Sequence, residues 1–547
     1  MVRWVPNLDT HAYGRALTEM IKRKGGTFTI EYLQRIPLVS VLIGIVASYG
    51  ILIRVNEYIR NRSLFGDEVA LVANIFYKSI TQLIIYPLDY AQAAPLGFLL
   101  LVKPLVMIFG ALDEHVLRFI PLCCGVFSVI LYFLLLKRCT NKGSTLIAMV
   151  LFSFSWQLLR YQTEFKPYSS DVMVALLILL FGIHLIPTRF NRSNAIQLGA
   201  LGASVIWFSF PSVFVLSGVG IAILFRSIIN KHWGELKHLC VCFIIWGISF
   251  VVLYFFYLKD IKNSSFLEKF WMQYCMPLPS YSLHGLLMIL KVFGKMLHYP
   301  GEIYPVSLGA IVFVLGAYAI YKKNKILSVM FLTPIIFTAI ASSLHYYPFS
   351  GRFLLFYLPV MYLIISEGII FLIKRDHFLF KLFGSLVLIA ILYHPVTTAP
   401  RHLTSKLFSS IETRPIVKYV ANHIKEGDSV YLYYQATASY RYYAKMYGID
   451  KFAYIEGVGS QKNWEKYKED LSQLKGKGQV WVIFAGQKYK IREMDTEYII
   501  ECLFLKPQQI KKSQTEEEYM VSYLDSIGIR KYFVKNTRAS VYLYDFN

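Results

Sequence analysis

Three short segments hold residue types that could carry out a group transfer. The first is Ser63-Leu64-Phe65-Gly66-Asp67-Glu68. A carboxylate in such a place can take the proton of a hydroxyl and make its oxygen nucleophilic. The plainer account is a solvated helix start, where acids in the first turn are favoured by the helix dipole. The second segment runs from Arg160 through Tyr161, Glu164, Lys166 and Tyr168 to Asp171, and mixes acids, bases and tyrosines between two apolar runs. Ion pairing and anchoring at a membrane interface, which tyrosine favours, would also account for it. The third is His345-Tyr346-Tyr347-Pro348-Phe349-Ser350-Gly351-Arg352. An arginine such as Arg352 can hold a phosphate through paired hydrogen bonds. A lipid headgroup contact or an internal ion pair is the alternative. Taken together, an acid, an acid–base cluster and an arginine among aromatics suit the transfer of a sugar from a lipid phosphate. The acid activates the acceptor and the cations hold the leaving phosphate.

The elements that must position these residues are membrane spans. The chain has 547 residues, of which 56% are apolar and 17% charged, less charge than a soluble protein of this length carries. Runs such as 239–257 and 353–373 are long enough to cross a bilayer. The net charge of +23 sits mostly in short loops between apolar runs, around 137–142, 189–192, 226–238, 322–325 and 374–375. That is the mark of cytoplasmic loops and not of a nucleic-acid face. No cleavable leader is evident. The first apolar run, 36–53, follows the basic Lys22-Arg23-Lys24 and reads as an uncleaved anchor. The seven cysteines form no C-x-x-C pair, so neither a metal site nor a disulfide framework is expected.

One run tests the topology. Residues 93–111 are long enough to span, yet carry Lys103-Pro104 in the middle. If they crossed, the 137–142 loop would fall outside and the alternation of charge would fail. If they lie in the outer interface, every basic loop falls inside. The second arrangement predicts about eleven spans, a cytoplasmic N-terminus and an outer C-terminal part. It places the three chemical segments on the same, outer face, and it leaves a long outer segment at 259–304 containing Trp271 and Tyr281. After about residue 411 the chain becomes polar. Strands are expected at 429–435, at 479–484 and within 532–544, and helices at 438–447 and 514–527. That alternation indicates a small α/β domain. The expected division is a cytoplasmic segment 1–35, a transmembrane domain 36–395 and a soluble, non-cytoplasmic α/β domain 396–547.

These residues resemble the C-type (GT-C) membrane glycosyltransferases, near the dolichyl-phosphate-mannose protein mannosyltransferases and the aminoarabinose transferases. Gly66-Asp67-Glu68 matches the acidic pair of their first outer loop. Ala94-Pro95-Leu96-Gly97-Phe98-Leu99 through Phe109-Gly110, then Leu117-Arg118-Phe119-Ile120-Pro121, resembles their juxtamembrane helix and the span after it. Glu164-Phe165-Lys166-Pro167-Tyr168 resembles the second outer loop, and Gly351-Arg352-Phe353-Leu354 the late-span motif. Two features depart from that pattern. Ala93-Ala94 stand where many relatives place a basic residue or histidine, and the tail is unlike the mannosyltransferases' sugar-binding domain. The resemblance implies a mainly α polytopic fold with outer juxtamembrane helices. It also implies a polyprenyl-phosphate sugar donor and inverting transfer to a glycan, lipid or protein acceptor. Asp67 and Glu68 would be the catalytic pair, Asp67 as general base and Glu68 assisting or positioning it. Glu164, Lys166, Tyr168, Asp171, Arg160, Tyr347 and Arg352 are the candidates for donor and acceptor binding. A divalent metal is used by some relatives and not by others, and no metal ligand is assigned here. Partners would be the donor, the acceptor and membrane lipids, with no nucleic acid, and a bacterial plasma membrane fits such a chain. A transporter, or a non-catalytic assembly subunit, is the rival reading. A transporter would keep ionisable groups inside its spans. The convergence of Asp67 and Arg352 on one outward site discriminates between the readings.

Overall fold

The computed structural model describes residues 38–64, 66–110, 113–262, 265–277, 282–404, 411–460, 463–486 and 515–547. Among these, nine helices are long and apolar enough to cross a membrane: Leu38–Ile59, Glu114–Cys139, Tyr168–Leu185, Ser212–Ile229, Trp233–Leu258, Val306–Lys323, Lys325–Ser343, Gly351–Ile373 and Phe378–Thr404. Two shorter helices, Lys142–Phe154 and Arg192–Val205, fall between them in the chain. The architecture is a polytopic helical membrane protein that ends in an α/β unit.

The basic loops are short because side chains start the next helix at once. Asn141 accepts from the N–H groups of Gly143 and Ser144, and Asn324 from those of Ile326 and Leu327. Both are N-caps that satisfy donors with no partner in the first turn. The most enclosed helix is Gly351–Ile373. It meets Val306–Lys323 almost backbone to backbone. A Cβ on Gly368 would lie 1.9 Å from the Val312 carbonyl oxygen, and one on Gly316 would lie 1.8 Å from that of Ile364. Small residues at such a crossing replace the hydrophobic drive that is missing between helices in lipid.

The first helix differs from the expected 36–53. It continues to Ile59 and takes in Arg54 and Glu57, both buried. Arg54 is tolerated there because its Nη1 donates to the carbonyls of Gly50 and Ser153, each at 3.0 Å, and its Nη2 to that of Phe152 at 3.4 Å, while its Nε has no partner among the described residues. The helix Leu96–Phe109 contains Pro104, and Lys103 is buried with Nζ donating to the Ile75 carbonyl at 2.7 Å. Its charge is thereby turned onto Asp67–Tyr77, the helix that begins with the acid pair. Gly97 brings the start of the same helix against Phe208, whose ring would lie 2.7 Å from an added Cβ.

The α/β unit is a five-stranded sheet in the order β2-β1-β3-β5-β4, with β1 Ser429–Leu432, β2 Tyr454–Glu456, β3 Gln479–Ala485, β4 Ile529–Asn536 and β5 Ala539–Asp545. β1 runs parallel to β2 and β3, whereas β5 is antiparallel to β3 and β4. The run expected to hold at least one strand in 532–544 is this β4–β5 hairpin. The expected strand at 429–435 stops at Leu432. The expected helix at 438–447 is Thr437–Met446, and the one at 514–527 is described from Glu516 to Ile527. Side chains alternate between the sheet's two faces. Tyr431, Val480, Val482 and Tyr544 pack with Met520 and Leu524. Val430, Leu432, Trp481 and Ile483 belong instead to a core that includes Val69, Leu71, Val72 and Ile75 of the acid-pair helix. The α/β unit and the helix Asp67–Tyr77 therefore share one hydrophobic core.

Candidate active site

The three chemical segments meet. Gly66 takes a left-handed φ of 52° and the helix Asp67–Tyr77 starts directly after it, a turn that suits glycine. Asp67 and Glu68 then point into different surroundings. Asp67 is half-exposed, and its Oδ2 accepts from Arg352 Nη2 at 3.0 Å. Glu68 is buried. Its carboxylate accepts from Arg118 Nε at 3.2 Å and Nη2 at 3.0 Å, and from the Phe165 N–H at 2.8 Å, and it pairs with Arg62 Nη1 at 3.3 Å. Glu68 thus ties the first segment to the second, while Asp67 ties the first to the third.

Arg352 is held by rings. Its Cζ lies 5.3 Å from the ring centre of Tyr168, 5.6 Å from that of Trp271 and 5.8 Å from that of Phe353. Such faces attract a cation. The preceding Gly351 has φ 51°, and a Cβ there would lie 2.6 Å from the Tyr299 ring, so only glycine admits this turn. Lys166 is buried and donates from Nζ to Gln92 Oε1 at 2.7 Å. Glu164, also buried, accepts from Arg160 Nε at 2.9 Å and sits 3.5 Å from Arg62 Nη2.

The charges act on one another. Burial opposes ionisation of Asp67, but Lys166 and Arg352 outweigh it, and its carboxyl is held below the ordinary aspartate range. Burial opposes the charge of Glu68 too, yet Arg118, Arg62 and the Phe165 N–H keep it anionic. For Lys166 burial prevails over the nearby carboxylates and lowers its pKa to about 8. The centre is thus an exposed, ionised carboxylate flanked by a planar cation and by a lysine that titrates near neutrality.

Two expected binding residues stand apart. Tyr347 donates its hydroxyl to the Phe353 carbonyl at 3.1 Å and packs on Phe214 and Phe353. It shapes the wall behind Arg352 and does not reach into the site. Asp171 is buried one turn into the helix Tyr168–Leu185 and forms no ion pair among the described residues. Tyr281 of the segment 259–304, expected on the outer side, lies outside the described residues. Among those described, no three His, Cys, Asp or Glu side chains gather as a metal site would require. Arg118 was not singled out from the sequence, although a clear signal existed. An arginine one turn into an apolar run must find a carboxylate, and Glu68 is that carboxylate. Arg62 carried no comparable signal.

No family profile matches the chain, and no curated protein matches it. Among solved structures, ArnT from Cupriavidus metallidurans bound to undecaprenyl phosphate superposes with a TM-score of 0.45 at 9% identity, over 92% of this chain and 97% of that one. The same protein in its apo state gives 0.45 at 10%, over 91% and 98%. The apo oligosaccharyltransferase of Archaeoglobus fulgidus gives 0.43 at 12%, over 82% and 70%. Superpositions this loose carry no inference about activity.

Proposed function

We propose that the chain is a C-type integral membrane glycosyltransferase. It takes a sugar from a polyprenyl-phosphate donor and passes it to a glycan, lipid or protein acceptor at the outer face of the membrane. The observation that carries this reading is the Asp67–Arg352 pair at 3.0 Å, with Lys166 acting on both. A base and two cations from three distant segments meet in one place, as the reaction demands and as a transporter does not require. The nine long helices and the two shorter ones between them support eleven crossings, with the basic loops inside and the acid pair, Arg352 and the α/β unit outside. A bacterial plasma membrane is the setting that fits this topology.

The acceptor hydroxyl approaches Asp67. Its oxygen forms a bond to the anomeric carbon while the bond from that carbon to the phosphate oxygen breaks. The proton passes to the Asp67 carboxylate, and the charge left on the phosphate is held by Arg352 and Lys166. Arg352 exchanges its carboxylate partner for the phosphate as the donor arrives, which frees Asp67 for the hydroxyl. Glu68 keeps the turn in place and takes no proton, because its oxygens are already filled by Arg118, Arg62 and the Phe165 N–H.

The test is Asp67→Asn, which keeps shape and hydrogen bonding but cannot accept the proton. Purified variant and parent are offered synthetic polyprenyl-phosphate sugars, hexose and pentose, with envelope extract as acceptor. The variant should insert and bind polyprenyl phosphate, and lose transfer by about 10²–10⁴-fold. Transfer at the parent's rate would remove Asp67 from the reaction.

A further inference from the structure

The turn that carries Asp67 is held from two sides, and one side belongs to the soluble domain. On the membrane side, Arg118 donates to Glu68, to the Arg62 carbonyl and, at 3.5 Å, to the Ser63 carbonyl. Toward the soluble domain, the Leu64 N–H donates to the Tyr443 hydroxyl oxygen at 2.6 Å. Ser63 Oγ donates to Glu412 Oε2 at 2.8 Å and accepts from the Arg414 N–H at 3.1 Å. The Arg414 guanidinium donates to the Asn61 carbonyl.

The two sides are joined through Glu114. This carboxylate, 1% exposed, lies one helical turn before Arg118. It accepts from the Tyr443 hydroxyl on one oxygen and pairs with the Arg414 guanidinium on the other. A buried carboxylate needs such partners. Here both come from the C-terminal domain: Arg414 from the helix Thr413–His423 and Tyr443 from the helix Thr437–Met446. The Tyr443 hydroxyl gives its proton to Glu114 and accepts from the backbone two residues before Gly66. It therefore fixes the distance between a membrane helix and the strand of chain that delivers Asp67. The shared core of Leu64, Val69 and Val72 with Ile416, Val420 and Tyr443 makes this contact a packed joint.

From this geometry we infer that the C-terminal α/β domain is a positioning element of the active site. Tyr443 and Arg414 hold residues 61–64 against Glu114 and thereby set where the Asp67 carboxylate stands relative to Arg352. The domain acts on the catalytic step and not on donor capture, because its hydrogen bonds reach the turn and Glu114 and none reaches Arg352 or Lys166 among the described residues. The inference rests on the assignment of Asp67 as the base.

The experiment is a double-mutant cycle with Tyr443→Phe and Asp67→Asn. Transfer is assayed with the polyprenyl-phosphate sugars named above, per mole of protein that binds polyprenyl phosphate. Tyr443→Phe removes one oxygen and leaves the ring in the core. It should lower kcat about tenfold and leave the donor KM unchanged. In the Asp67→Asn background it should have almost no further effect, since residues acting through one group are not additive. A tenfold loss that persists in that background shows that Tyr443 acts elsewhere and overturns the inference while Asp67 keeps its role. A raised donor KM with unchanged kcat overturns it as well. Full transfer by Asp67→Asn alone would instead remove the base assignment beneath it. If Tyr443→Phe fails to insert, Ser63→Ala, which deletes only the link to Glu412 and the Arg414 N–H, replaces it in the same cycle with the same expectations.

Discussion

Lys166 gives the site a pH dependence that can be worked out in advance. An ordinary lysine has a pKa near 10.5, whereas burial lowers that of Lys166 to about 8, against the pull of Asp67, Glu164 and Glu68. The sign follows directly. Below pH 8 the ammonium is present and adds to Arg352 in attracting a phosphate. Above pH 8 it is lost, while Arg352 stays charged. Asp67, held below the ordinary aspartate range, remains ionised throughout and contributes no limb there. The kcat/KM for donor, which reports the free enzyme, should therefore be level from about pH 6 to about pH 7.5 and fall above pH 8. The fall should approach about tenfold per pH unit if the neutral form does not bind. Once donor is bound its phosphate raises the lysine's pKa, so kcat should fall later than kcat/KM does. Lys166→Arg places a permanent charge there and should move the alkaline limb beyond the accessible range. The assay is initial transfer rate against pH at subsaturating and saturating polyprenyl-phosphate sugar. An alkaline limb unchanged in Lys166→Arg would refute the placement of Lys166 at the donor phosphate.

Two further outcomes are expected. Arg352→Ala should weaken polyprenyl-phosphate binding by the value of a charged hydrogen bond, about 1.5–3 kcal/mol, and Arg352→Lys should recover only part of it, because a lysine lacks the planar fork that stacks on Tyr168 and Trp271; equal binding by parent and Ala variant in a titration would refute the contact. In a cysteine-free background, a cysteine at the exposed position Lys142 should resist an impermeant maleimide added outside intact cells and one at the exposed Glu469 should react; labelling at 142 would mean that the helix Leu96–Phe109 crosses the membrane after all.

How much of this was legible in the sequence depends on the range of the forces involved. Apolar runs and loop charges are local signals, and they located the spans; the proposal that 96–109 lies in the interface rests on the same charges. The structure adds that Lys103, in the middle of that helix, donates to the Ile75 carbonyl. The end of the first helix was misjudged because Arg54 and Glu57 look like a polar boundary. Only the partners at Gly50 and Ser153, the latter on another helix, show that the Arg54 Nη1 is held inside. The strands of the α/β unit were readable where alternation is strong. The strand Tyr454–Glu456 and the helices Thr413–His423 and Trp464–Ser472 were too short or too polar to announce themselves. At the site, residue type named Asp67, Lys166 and Arg352, but their roles in the arrangement depend on pairs such as Arg352–Asp67, which are 285 residues apart. Asp171 and Tyr347 have the same composition of neighbours and were named on the same grounds. What separates them is the partner each side chain finds in space, the Phe353 carbonyl for Tyr347 and no cation for Asp171 among the described residues, which spacing alone does not fix.

Arg118 is buried and paired with Glu68. Its charge lies in an apolar run, where an unpaired guanidinium would cost several kcal/mol, so the sequence does say that it must be paired. It does not say with what, since Glu57, Asp67, Glu68 and Glu164 are all acids that lie near the ends of apolar runs. The choice of Glu68 is made by the turn at Gly66, which sends Glu68 inward and leaves Asp67 half-exposed. Of two adjacent carboxylates, one is consumed by Arg118, Arg62 and the Phe165 N–H, and the other is left with a single partner that a phosphate can draw away. The division of labour between Asp67 and Glu68 is therefore a consequence of backbone direction at one glycine. It makes the proposed assignment asymmetric: loss of Glu68 removes the support of the turn, whereas loss of Asp67 removes the proton acceptor.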